Sequence, residues 1–211
     1  GFFTSHQRQS SYGFSSKEDV QKFLGPIAQG VTSLDPKNPV TFGPYMNDPD
    51  LINNKYQLHL AHEKALEVFD SICEEYFLLT GRKYSQIEVF GDDNSAAGVF
   101  LLNSAAETAK DAIEESIEKA NPVKLLRPNI LRPFPSVTLM KAARSLKTLA
   151  IGERADTAGS EAGPLTHEIK SCLMSDNHSD VKVLTRIFGL GGKDFADTDA
   201  KELINISQDS A

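Results

Sequence analysis

Two hundred and eleven residues with a 40% apolar fraction suffice for one globular domain carrying an arm. The net charge of −7, spread along the chain, argues against nucleic acid or an anionic membrane as the main partner. The two isolated cysteines, Cys73 and Cys172, argue against a disulfide scaffold or a tetrahedral zinc site and for free thiols in a reducing compartment. No run approaches the ~18 apolar residues of a membrane span, and no signal peptide is visible.

The chain opens at Gly1 without an initiator methionine and reads as a piece of something larger. Residues 1–48 are poor in periodicity and rich in turn formers. Ser15-Ser16-Lys17-Glu18 suits the cap of a short helix through Leu24, ended by Gly25-Pro26. Asp35-Pro36, Asn38-Pro39 and Gly43-Pro44 then punctuate an extended arm or linker.

Residues 49–81 form the second segment. Asp48-Pro49 suits a helix start, with Asp48 as cap and Pro49 at the first helical position, and Gly81 supplies the stop. Leu58, Ala61, Ala65, Phe69, Ile72, Tyr76 and Leu79 recur at three- and four-residue steps as one apolar stripe. An uninterrupted helix of this length is a rod of roughly 45 Å. His59 and His62 beside Glu63 have a spacing that metals use, but no third ligand is identifiable.

Residues 82–211 change rhythm. Expected strands are Ile87–Phe90, Val99–Leu102, Val123–Leu126, Thr148–Ile151 and Val181–Ile187. Amphipathic helices are expected over Ala105–Lys119, Ser136–Ser145, Pro164–Met174 and Thr198–Ile206. Apolar strands separated by helices predict a mostly parallel five-stranded α/β sheet with helices on both faces and right-handed crossovers. Pro128 removes a ladder donor, so its portion of the third strand is expected at an edge or a bulge.

Four motifs sit where strands meet helices. In Asn103-Ser-Ala-Ala-Glu-Thr-Ala109, Ser104 and Glu107 have capping-box spacing, and the same helix start could hold an anion. Leu131-Arg-Pro-Phe134 and Gly152-Glu-Arg154, the latter with Gly163-Pro-Leu165, place Arg132 and Arg154 to face a crevice or to bridge domains. Gly189-Leu-Gly-Gly-Lys-Asp-Phe195 is not a phosphate loop. Its first glycine is too close to Lys193, and Asp194 stands where Ser or Thr would hold magnesium. Glycines relieving a tight turn are the simpler reading of Gly189 and Gly191. On residues alone the chain is a non-catalytic α/β domain with an arm.

Taken together these segments resemble the pyruvate:ferredoxin (flavodoxin) oxidoreductases. Gly1-Phe-Phe-Thr-Ser-His6 is similar to the family's Gly-Phe-Arg-Thr-Ser-His near the end of its first domain, with Phe3 for arginine and Gln7 for glutamate. Asn38-Pro-Val-Thr-Phe-Gly43, Asn47-Asp-Pro-Asp50 and Leu79-Thr-Gly-Arg-Lys-Tyr84 resemble its linker and long helix. The four motifs above resemble its second domain, with Asn103 where glycine is usual and Gly152-Glu-Arg154 where the family has Asp-Arg.

The resemblance implies a transketolase C-terminal-like fold. It also implies a parent enzyme that uses thiamine diphosphate, magnesium and iron–sulfur clusters to convert pyruvate and coenzyme A to acetyl-CoA and carbon dioxide. This segment would hold none of those cofactors and would be inactive alone, with no catalytic, cofactor-binding or metal residue. Its partners would be other domains or subunits of a dimeric, cytoplasmic or organellar oxidoreductase. Thr4, Ser5, His6, Ser104, Arg132, Arg154, Gly189, Gly191 and Lys193 are its candidate interdomain or anion contacts. Two alternatives stand: the equivalent domain of an NADPH sulfite reductase subunit, and a non-enzymatic interaction module.

Overall fold

The computed structural model describes residues 16–26, 36–37, 39, 43, 45–175 and 180–211. Thr4, Ser5 and His6 lie outside the described residues. The chain divides into two compact units, with the boundary between Tyr84 and Ser85.

The first unit is helical. Helix α1 (Lys17–Leu24) starts as expected: Ser16 Oγ accepts from the Asp19 N–H at 3.0 Å, and Gly25 closes the helix. Helix α2 runs over Asp50–Thr80 and ends on Gly81 in the left-handed region. Its start differs from the sequence expectation. Neither Asp48 nor Pro49 caps it with a side chain, and the Leu51 N–H bonds the Asn47 carbonyl at 2.9 Å instead. Backbone thus satisfies that first-turn donor. The C-terminal part of the apolar stripe meets α1, where the Phe23 and Tyr76 rings lie 5.9 Å apart; Tyr84 follows at 5.7 Å from Tyr76.

The second unit is a five-stranded sheet, as the run of apolar segments predicts. Its elements are β1 (Ile87–Gly91), β2 (Ala97–Phe100), α3 (Asn103–Glu118), β3 (Lys124–Pro128), α4 (Ser136–Ala142), β4 (Thr148–Glu153), α5 (Pro164–Ser175), β5 (Lys182–Ile187) and α6 (Asp197–Gln208). The strand order is β1-β3-β2-β4-β5, with β1 antiparallel and the rest parallel. The sheet is buried on both faces because alternate residues of each strand feed different cores. Val99, Leu125 and Ala150 pack with α3 and α6, through Ala105, Ala109, Ile113, Leu203 and Ile204. Phe100, Leu126, Leu149 and Ile151 pack with α4 and α5, through Leu139, Ile169 and Leu173.

Pro128 is not on an edge strand. It ends β3, which lies between β1 and β2. The proline is tolerated because the β2 pairing stops at Leu126, leaving Ile87 of β1 as its neighbour.

At the amino-terminal edge of the same strand Lys124 is buried, 1% exposed. Its Nζ donates to the carbonyls of Ala142 at 2.6 Å and Asp93 at 2.8 Å. Burial pushes its pKa below the ordinary lysine range, against the pull of the Asp93 carboxylate. The lysine ties the β1–β2 turn to the end of α4.

Candidate functional site

Parallel strands deliver their loops to one edge. The connections from β2 and β4 depart in opposite directions along the sheet, so α3 and α5 cover opposite faces. The strand ends part between them, at the position where open α/β sheets place their crevice. Here a cavity of about 190 Å³ is lined by Leu102, Asn103, Ser104, Glu153, Arg154 and Phe188, among others. A second cleft of about 380 Å³ adjoins it, with Arg186, Phe188, Leu190, Lys193 and Glu202 in its wall.

Asn103 opens α3 with a φ of 49°. Glycine reaches that region without strain and asparagine reaches it better than most residues, which gives the sequence difference at this position a physical meaning. The helix starts two residues earlier than the capping-box reading requires. The N-cap is Leu102, with no side-chain cap, and Ser104 is already inside the helix. Glu107 is drawn elsewhere. Its carboxylate pairs with Arg127 and, at 3.1 Å, with Lys110. Both cations also meet Glu88 of β1, Lys110 at 2.9 Å and Arg127 at 3.4 Å. Burial pulls Lys110 down, but its bonds to Glu88 and Glu107 outweigh that and hold its pKa above the ordinary range.

Glu153, at the end of β4, is 2% exposed. Its carboxylate accepts from the N–H groups of Leu165 at 2.9 Å and Thr166 at 3.3 Å, and from Thr166 Oγ1 at 2.5 Å. It therefore closes the amino end of α5, where both the free N–H groups and the helix dipole favour a carboxylate. Gly163 makes room for it, since a Cβ there would stand 2.4 Å from Glu153 Cδ. The separated pieces Gly152-Glu-Arg154 and Gly163-Pro-Leu165 are thus two halves of one helix cap. The sequence reading noted Glu153 only as a family difference.

Arg154 turns the other way, donating Nε–H to the Gly189 carbonyl at 2.8 Å. Gly189 is constrained twice: its φ is 68°, and a Cβ would lie 3.0 Å from Arg154 Nε. The remainder of that motif is a turn, with Gly191 at φ 68°, anchored by Phe195 in the core against Phe188 at a ring separation of 4.6 Å. Lys193 is exposed on the wall of the larger cleft. Asp199 caps α6 by accepting from the Ala196 N–H at 2.8 Å.

The structure thus gathers Ser104, Arg154, Gly189 and Lys193 along one edge. Gly191 belongs to the same turn without lining either cavity. Arg132 also lines neither: it is exposed and pairs with Glu168 of α5 at 2.9 Å. His59 bonds Glu63 at 3.3 Å on α2, and among the described residues no three His, Cys, Asp or Glu side chains cluster to hold a metal. Ser160 and His167 come within 3.1 Å of each other on the surface, but no carboxylate orients the ring among the described residues. The edge is knitted by internal bonds, and among the described residues no nucleophile is paired with a base there. No helix among the described residues is long and apolar enough to cross a membrane.

Residues 96–200 match the family described as pyruvate:ferredoxin oxidoreductase core domain II. The chain is 28% identical over 209 residues to pyruvate synthase subunit PorA of Methanothermobacter thermautotrophicus, covering 99% of this chain and 52% of that one. It is 31% identical over 188 residues to ketoisovalerate oxidoreductase subunit VorA of Pyrococcus horikoshii, covering 89% of this chain and 47% of the relative. A solved 2-oxoglutarate:ferredoxin oxidoreductase from Magnetococcus marinus superposes with a TM-score of 0.44 at 16% identity, over 64% of this chain and 21% of that one. The chain spans about half the length of the curated relatives it matches. With its second domain matched and its whole length aligned to subunits of this kind, the chain belongs to the pyruvate:ferredoxin oxidoreductase family.

Proposed function

We propose that this chain supplies a structural, non-catalytic domain of a thiamine diphosphate-dependent 2-oxoacid:ferredoxin oxidoreductase, with pyruvate as substrate and acetyl-CoA and carbon dioxide as products. The observation that carries the reading is the match of residues 96–200 to core domain II, within a similarity that runs through 99% of the chain. The geometry supports the non-catalytic part. Glu153 is spent on the α5 cap, and Arg154 holds the Gly189 turn.

The chain's own donors do not fit an iron–sulfur cluster, which needs four thiolates where this chain has two cysteines, on α2 and α5. In this reading thiamine diphosphate, magnesium and the clusters reside in other domains or subunits of a cytoplasmic or organellar assembly. Thr4, Ser5, His6, Ser104, Arg132, Gly191 and Lys193 serve as contacts to those parts rather than to substrate. Calorimetry tests this assignment: titrating thiamine diphosphate with magnesium, or pyruvate, into residues 1–211 alone should give no binding heat. Saturable heat with either ligand would place a cofactor or substrate site in this chain.

A further inference from the structure

We draw no further inference here: the strongest candidate, the cleft of about 380 Å³ between the end of β5 and the start of α6, sets Arg186 and Lys193 beside Asp194 and Glu202, a mixed lining that selects no one ligand chemistry, and nothing in the structure shows what covers it.

Discussion

The carboxylate of Glu153 and the backbone N–H of Leu165 meet at 2.9 Å across a loop, inside a site where the carboxylate is almost wholly buried. Together with the Thr166 bonds, this contact sets where α5 begins and which way Arg154 leaves β4.

Glu153→Ala should destabilise the second unit by about 3 kcal/mol, because two helix N–H groups, that of Leu165 half-buried and that of Thr166 buried, lose their acceptor. Glu153→Gln, which keeps one acceptor oxygen, should cost less. Gly163→Ala should resemble Glu153→Ala, since its methyl would occupy the carboxylate's place. Urea unfolding of the three variants checks the ranking. An unaffected Gly163→Ala would contradict the cap.

Asn103 predicts a different pattern. At a φ of 49°, Asn103→Gly should be neutral or slightly stabilising, whereas Asn103→Val should cost about 1–3 kcal/mol through backbone strain. Thermal unfolding of the pair separates backbone geometry from any role of the amide.

Ala120 is the one alanine among the described residues with left-handed backbone, at φ 58°. It closes α3 in a Schellman motif: its N–H bonds the Ile117 carbonyl at 2.9 Å and the Asn121 N–H bonds the Ser116 carbonyl at 3.0 Å. Ala120→Gly should stabilise by about 1 kcal/mol, raising the midpoint by roughly 2–4 °C in calorimetry. A lowered midpoint would refute the argument.

How much of this was legible in the sequence depends on range. Strand and helix periods were readable because each is local, and the near-continuous apolar runs announced a sheet covered on both faces. Strand β2 shows the limit. The apolar run suggested Val99–Leu102, yet the strand is Ala97–Phe100. Ala97 and Gly98 carry little strand propensity, but Gly98 is needed where Leu146 packs close: a Cβ would stand 2.8 Å from its Cδ2. Leu101 and Leu102 are apolar for the core while the chain is already turning toward α3. Ser104 and Glu107 had the spacing of a cap, but Arg127, twenty residues away in sequence, claimed the carboxylate. The Arg154–Gly189 bond spans thirty-five residues and has no local signature.

The α3–α6 seam predicts a pH dependence. Hydrogen bonds from Lys119 and Lys201 hold the Glu115 carboxyl well below its ordinary range, at about 2. A depressed folded pKa means that its contribution is fully present above the ordinary glutamate value, near 4.3, and is lost as pH falls from there toward 2. Wild type should therefore exceed Glu115→Gln in stability at pH 6, with the gap closing in that acid window. A gap unchanged down to pH 2 would show that the pairs contribute nothing through charge.

The central claim is that this chain works within a 2-oxoacid:ferredoxin oxidoreductase. Anaerobic reduction of a viologen dye by the protein carrying residues 1–211, assembled with its partner subunits and loaded with thiamine diphosphate, tests it most directly. The account predicts reduction that requires both pyruvate and coenzyme A. A cofactor-loaded assembly that reduces no dye with pyruvate or any other 2-oxoacid would contradict it.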